Sequence, residues 1–277
     1  MPDLMTSDAA PDLEALLALG LVAARGAAAL LREKRPAGRV QVAATKSSPT
    51  DVVTALDTAV EGFVRETIRA QRPGDGFLAE EGGAQPGTSD VRWVLDPIDG
   101  TVNFVYGIPA YAVSIAAEVA GRCCAGVVLD VESGEEFTAV LGAGAYLRRG
   151  PDETATRLRL PPPPALAEAL VATGFGYDAR RRVRQAAAVA RLLPRVGDIR
   201  RIGAASLDLC NVAAGRVDAY VEQGLQPWDL AAGGLIAREA GAVVTGLAGG
   251  QPAERLVVAC APALHADFGA LVEQCGF

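Results

Sequence analysis

The densest group of residues able to do chemistry is Asp96-Pro97-Ile98-Asp99-Gly100-Thr101, directly after the apolar run Trp93-Val94-Leu95. Pro97 stiffens the chain as it leaves a strand, and Gly100 allows a close backbone approach. Asp96 and Asp99 can converge on one cation, while the amides of Gly100 and Thr101, at a helix start, can hold a phosphate oxygen. Taken alone, the run reads equally well as a surface Asp turn with a helix cap. Glu80-Glu81 follows the strand-like Phe77-Leu78-Ala79. Adjacent side chains on a strand point to opposite faces, so only one of these carboxylates can aim at a shared site, and in isolation a solvated edge is the better reading. Trp228-Asp229 opens a helical stretch in which Asp229 serves equally as a plain N-cap. Asp57, by itself, is an ordinary exposed helical carboxylate.

The rest of the composition narrows that chemistry. One histidine, His265 near the C-terminus, leaves little room for a His-rich zinc centre, so metal chemistry must use oxygen ligands. The net charge of −7, with Lys34 and Lys46 the only lysines, argues against nucleic acid or an anionic membrane as a main partner. Five cysteines (Cys123, Cys124, Cys210, Cys260, Cys275) form no CxxC and read as reduced packing residues of a cytoplasmic protein. The start carries Asp3, Asp8, Asp12 and Glu14 where a signal peptide is basic, and Arg25 interrupts its apolar run, which predicts a soluble amphipathic helix.

These residues must be positioned by a chain of 277 residues that is half hydrophobic, enough for one large domain or two packed subdomains. A long helix is expected from Asp12 to about Arg35, stopped by Pro36 and Gly38, then a turn at Lys46-Ser-Ser-Pro-Thr50. Leu56, Val60, Phe63 or Val64, and Ile68 recur at helical spacing, predicting a second helix from Val53 to Pro73-Gly74. Short strands are expected at 77–81 and 91–95, and the β-rich runs between Tyr111 and Arg149 predict an antiparallel meander. The run Pro161–Pro164 cannot enter a helix or central strand and marks a boundary. Beyond it, strands near 169–174, 217–222, 242–246 and 255–261 alternate with helices near 180–194, 205–215, 228–240 and 263–274. The pattern favours an α+β layer fold over a uniformly wound one. It divides into an N-terminal α+β subdomain, 1–150, carrying the Asp96–Thr101 loop, and a C-terminal α/β subdomain, 151–277, supplying Asp229 and substrate contacts.

Together, ATKSSPTDVVTALD, FLAEEGG, WVLDPIDGTVNFVYGIPAYAVSIA, IRRIGAASLDLCNVAAGRVDAYVEQG and PWDLAAGGLIAREAGA make a closer match than any of them separately. From Lys46 to Ala242 the chain resembles the inositol monophosphatase family of metal-dependent phosphatases. Ala79 departs from it where a glycine commonly precedes the first glutamate. The resemblance implies a five-layer αβαβα sandwich of the inositol monophosphatase and fructose-1,6-bisphosphatase type, and commonly a homodimer. It implies that Glu80, Asp96 and the carbonyl of Ile98 hold a first Mg²⁺, that Asp96, Asp99 and Asp229 hold a second, and that a third, weaker ion can sit near Glu80. Phosphate would rest on the Gly100 and Thr101 amides. Glu222, Gly203, Ala204 and Ala205 match positions that contact the hydroxyl-bearing part of the substrate, with Arg201 nearby. Thr101 and Asp57 match the pair that orients and deprotonates the attacking water, in a displacement without a phosphoenzyme.

Val102 after the threonine looks most like bacterial inositol-1-monophosphatases, which implies a small phosphorylated polyol, myo-inositol 1-phosphate, as substrate. Fructose 1,6-bisphosphate or histidinol phosphate, or a dual-role regulatory protein that keeps the fold, are the alternatives. Two readings outside the family compete. Gly174-Phe-Gly-Tyr-Asp-Ala179 fits G-x-G-x-x-A after a strand, with Asp198 about where a ribose-binding acid would lie. An aspartyl-phosphate enzyme would want D-x-D, whereas the spacing here is D-x-x-D.

Overall fold

A computed structural model describes residues 11–36, 38–46 and 52–277; the turn expected at 46–50 falls largely outside these residues, as does the N-terminal acidic stretch before Pro11. The helices are α1 (Leu13–Lys34), α2 (Ala55–Arg69), α3 (Thr101–Tyr106), α4 (Ala179–Leu192), α5 (Ala205–Ala213), α6 (Pro227–Glu239) and α7 (Pro262–Cys275). A two-stranded ribbon pairs β1 (Ala44–Thr45) with β2 (Val52–Val53). A large sheet contains β3 (Gly76–Ala79), β4 (Gly83–Gln85), β5 (Val91–Asp99), β6 (Ala112–Val119), β7 (Arg122–Asp130), β8 (Glu136–Val140), β9 (Gly144–Arg148) and β10 (Thr156–Arg157). Its spatial order is β10-β9-β8-β7-β6-β5-β3-β4, with β3 and β5 its parallel pair. A second sheet is built from β11 (Leu170–Thr173), β12 (Asp198–Arg200), β13 (Ala219–Glu222), β14 (Val243–Thr245) and β15 (Val257–Cys260), in the order β12-β11-β13-β15-β14.

Strand periodicity stacks these elements into five layers. On β5, Trp93 and Leu95 pack with α1 and α2, whereas Val94 joins Leu207, Cys210, Leu235 and Ile236 of α5 and α6. On the second sheet, Tyr220 faces the α5–α6 layer, while Ala219 and Val221 face Leu192 of α4 and Phe268 and Val272 of α7. The order is helices α1–α2, large sheet, helices α5–α6, small sheet, helices α4–α7, the predicted αβαβα sandwich. Both sheets are buried on two sides, so their strands read as apolar runs rather than alternations. The Pro161–Pro164 run carries no helix or strand, and the two sheets lie on either side of it in sequence.

Asp12 caps α1, accepting from the N–H groups of Glu14 and Ala15 at 3.0 and 3.3 Å. This helix is long and apolar enough to cross a membrane, but Leu16, Leu19, Ala23, Ala24, Ala27 and Leu31 pack into the core. α2 begins at Ala55, later than the periodicity suggests, because Val53 pairs in the ribbon and Thr54 caps the helix. All five cysteines are free thiols.

Candidate active site

β5 does not end where the sequence suggested. It runs through Pro97 and Ile98 to Asp99, with a register shift against β6: Asp96 lies opposite Ser114 and Asp99 opposite Ala112. Three steps on one strand therefore match two on the other, which is a β-bulge. In a regular strand, residues three apart face opposite ways; the extra residue turns Asp96 and Asp99 to one side, toward the α5–α6 layer, while Ile98 packs in the core beneath α1 and α2. Pro97 fits because a bulge leaves an amide without a ladder partner. Asp96 Oδ1 also accepts the Ile98 N–H at 3.0 Å.

Three helices start around this bulge. Asp99 accepts from the first amides of α5, Ala205 N at 3.2 Å and Ser206 N at 2.7 Å, and from the Ser206 hydroxyl at 2.5 Å. Asp229 is the third residue of α6 rather than its N-cap; Gln226 caps, and the Gln226 N–H donates to Asp229 Oδ2 at 2.7 Å. Oxygens of Asp96, Asp99 and Asp229 all lie within 4.8 Å of one another. The start of α3 differs, since no side chain caps it, leaving its first amides for an external acceptor. Gly100 precedes it at φ 93°, where a Cβ would come within 3.0 Å of the Ala110 carbonyl and 3.2 Å of Ala204. Asn103 ties α3 to the α5 approach by donating to the carbonyls of Ala110 and Ile202 at 2.8 and 2.9 Å.

Glu80 and Glu81 sit in the turn after β3, not on alternate faces of a strand as expected. Both accept from the Lys46 ammonium, at 2.8 and 2.5 Å, because the turn releases them from strand alternation. The Lys46 pKa is raised: burial opposes its charge, but Glu80 and then Glu81 outweigh it. Burial pushes Asp96 well above the usual carboxylate range, reinforced by Glu80, Asp99 and Asp229. Burial and the nearby Asp99 do the same to Asp229, and burial raises Asp99 despite the Ser206 hydrogen bonds. Crowded carboxylates held this way are relieved by protons or by a cation. An all-oxygen set without a thiol or imidazole fits a hard divalent ion such as Mg²⁺.

Asp57 is fully buried, unlike the exposed helical carboxylate its sequence setting suggested. Its Oδ2 accepts the N–H and hydroxyl of Thr54 at 2.8 and 2.5 Å, and its Oδ1 faces the Thr101 hydroxyl at 3.3 Å. Burial raises its pKa against the pull of Thr54 and Lys46.

A cavity of about 480 Å³ opens here, lined by Lys46, Glu80, Asp96, Ile98, Asp99, Gly100, Thr101, Arg201, Gly203, Ala205, Glu222 and Asp229, among others. Of the residues proposed from the sequence, Asp57 lies behind Thr101, and Ala204 is buried between the sheets and is not among the residues lining the cavity. Glu222 accepts from the Tyr220 hydroxyl at 2.7 Å, and burial lifts its pKa to about 7. The first glycine of the run that suggested a dinucleotide fold serves this acid instead: a Cβ on Gly174 would lie 2.0 Å from a Glu222 carboxylate oxygen, while one on Gly176 would meet the Arg181 side chain at 3.0 Å. Asp198, the expected ribose partner, is exposed and paired with Arg200.

Lys46, Ser206 and Tyr220 contribute to the site without having been expected there. That Lys46 is one of two lysines in the chain was the available signal for it. Ser206, at a helix start, was marked by its position.

Residues 12–276 match the inositol monophosphatase family. The chain belongs to that family. It is 52% identical over 239 residues, 83% of this chain and 80% of the relative, to the inositol-1-monophosphatase SuhB of Mycobacterium tuberculosis. The solved structure of Mycobacterium tuberculosis SuhB superposes with a TM-score of 0.81 at 44% identity, covering 96% of this chain and 98% of that one. A Pasteurella multocida relative named Nus factor SuhB is 43% identical over 235 residues, 83% of this chain and 86% of its own. This inositol monophosphatase family member is a phosphoric monoester hydrolase.

Proposed function

We propose that the protein is a Mg²⁺-dependent phosphatase that hydrolyses myo-inositol 1-phosphate to inositol and phosphate. The observation that carries this reading is the triad of Asp96, Asp99 and Asp229 oxygens beside the uncapped start of α3. Asp96, Asp99 and Asp229, with Glu80 and the Ile98 carbonyl, would hold two ions, and Glu80 could share a third. Bound there, Mg²⁺ supplies Lewis acidity toward the phosphoryl oxygens, the attacking water and the leaving oxygen.

The remaining work belongs to the chain. The Gly100 and Thr101 amides receive a phosphate oxygen at the positive end of α3. The Thr101 hydroxyl accepts a hydrogen bond from the attacking water and passes its own proton toward Asp57 Oδ1, the oxygen that Thr54 leaves unused. Glu222, beside Gly203 and Ala205, accepts from ring hydroxyls, and Arg201 lies at the same wall. Histidinol phosphate, which carries a cationic amine in place of ring hydroxyls, is the competing ester. A homodimer, and a cytoplasmic location with reduced cysteines, complete the reading.

Phosphate release from the two esters in Mg²⁺ tests it. The ratio of kcat/KM should favour inositol 1-phosphate by about tenfold or more, the scale set by one buried polar contact. A clear preference for histidinol phosphate would leave the family and remove the substrate. The Pasteurella relative's name carries a second reading, a regulatory role beside catalysis. It predicts that a variant without hydrolytic activity still complements a deletion strain.

A further inference from the structure

We propose that Glu61 is a positioning residue of the metal centre: its buried carboxylate fixes the turn that presents Glu80 to the pocket, so that Mg²⁺ affinity depends on it while the chemical step does not. The inference rests on the metal-dependent phosphatase reading above and extends it to a side chain outside the cavity.

β3 ends at Ala79 and β4 begins at Gly83, and these two residues pair, so only Glu80, Glu81 and Gly82 make the turn between them. All three amides of the turn are tied down from outside the hairpin. The Glu80 N–H donates to the Leu95 carbonyl of β5 at 3.2 Å. The Glu81 and Gly82 N–H groups donate to Glu61 Oε2 and Oε1, each at 2.9 Å. One carboxylate from α2 thus takes two consecutive amides in charge-assisted hydrogen bonds. The peptide planes on either side of Glu80 are then fixed, one by β5 and the other by Glu61. Its side chain leaves the backbone in one direction, into the cavity that it lines.

Glu61 is itself held. It sits one turn after Asp57 on the buried face of α2 and is paired with Arg65, a further turn on, at 2.9 Å. Arg65 also reaches the Gly83 carbonyl at 3.4 Å and lies 5.5 Å from the centre of the Phe77 ring. A buried ion pair is a poor source of stability, since desolvation offsets most of its attraction, so what this pair contributes is orientation. Gly82 completes the fit: a Cβ there would lie 2.5 Å from Arg65 Nη2 and 2.6 Å from Glu61 Oε1. Without that Cβ the carboxylate reaches the amides. α2 thereby serves both parts of the site, the proton acceptor through Asp57 and the metal through Glu61.

The test is calorimetric titration of Mg²⁺ into the chelator-treated full chain, for the wild type, Glu61→Gln, Gly82→Ala and Val64→Ala. Glutamine keeps the shape of Glu61 but offers one acceptor oxygen where two amides need two. Gly82→Ala crowds the same carboxylate from the turn side, meeting only the ends of flexible side chains. Val64→Ala removes core volume from the same helix without touching the turn. Glu61→Gln and Gly82→Ala should bind Mg²⁺ about tenfold or more weakly, the usual scale for a lost partner behind a metal ligand. Their kcat on myo-inositol 1-phosphate should return to the wild-type value once Mg²⁺ saturates. Val64→Ala should lower Tm and keep wild-type Mg²⁺ affinity. Unchanged affinity in Glu61→Gln, an equal loss of affinity in Val64→Ala, or a kcat that stays low at saturating Mg²⁺ would overturn the role. If Glu61→Gln does not fold, Gly82→Ala decides in its place. A wild type that binds Mg²⁺ but hydrolyses no ester refutes the phosphatase reading and leaves the affinity test standing; one that binds no Mg²⁺ refutes both.

Discussion

Asp57 and Thr101 carry the sharpest claim about single side chains. If they move a proton as a unit, Asp57→Asn and Thr101→Ala should each lower kcat by roughly 10²–10⁴, with the double variant little worse than the poorer single one. Mg²⁺ affinity should move much less, since neither side chain is among the proposed ligands. Asp57 also closes the capping box of α2, so its replacement costs about 1 kcal/mol of stability whether or not it acts in catalysis. Single-turnover rates at saturating Mg²⁺ separate the roles, and near-normal kcat in Asp57→Asn would leave Asp57 a cap only. The acids of the DPIDGT and WD runs, each readable alone as a turn or a cap, became legible as a site only through the family resemblance that the runs make together. The burial of Asp57 was not, because it depends on α3 arriving 44 residues later to place Thr101 against it. Nor was the shared grip of Lys46 on Glu80 and Glu81, which depends on a turn rather than a strand.

Between residues and the whole molecule, the segment leaving β11 positions Glu222. Gly174→Ala should fold, because the atom it meets is the far end of a flexible side chain, yet Glu222 must move aside. KM for inositol 1-phosphate should rise several-fold, about 1 kcal/mol for a strained polar contact, while hydrolysis of a simple aryl phosphate changes little. An unchanged KM would show that Glu222 does not need this space. Most elements were readable from periodicity and breakers, including the antiparallel meander and the helices and strands after the Pro161–Pro164 run. The bulge at Pro97 was not, because a proline next to acidic residues signals a turn as readily as a bulge. Short β12, with exposed residues at both ends, offered no apolar run to detect.

Across the whole molecule, five layers converge on one acidic pocket, and this makes stability depend on pH and metal. In the metal-free protein, burial raises the pKa values of Glu80, Asp96, Asp99 and Asp229, with repulsion from neighbouring carboxylates adding to it at Asp96 and Asp229 and from Glu81 at Glu80. The folded state then binds protons that the unfolded chain releases, so their contribution is complete at low pH and is lost as pH rises through the raised values. Glu136 works the other way: burial pushes its pKa up, but Arg25 and Arg148 hold it below the ordinary value, so its contribution is lost only at acid pH. In chelator, Tm should therefore fall as pH rises above the ordinary carboxylate range, and Mg²⁺ should restore it most at the alkaline end. A Tm that is flat with pH and indifferent to Mg²⁺ would show that the carboxylates are not in electrostatic contact. An α+β layer fold was legible in the order of helices and β-rich runs, and its five layers through the family resemblance, but the packing of three helix starts around one bulge is a property of the assembled sheets alone.

The most direct measurement is phosphate release from myo-inositol 1-phosphate as a function of free Mg²⁺, in the wild type and in Asp96→Asn. Asparagine keeps the acceptor for the Ile98 N–H, so the bulge should persist while the negative charge at the centre of the pocket is lost. The wild type should be inactive in excess chelator and activated by Mg²⁺, and Asp96→Asn should lose on the order of 10²–10³ in kcat with an unchanged circular dichroism spectrum. Full hydrolysis in chelator, or wild-type rates in a folded Asp96→Asn, would contradict a metal-dependent phosphatase centred on Asp96.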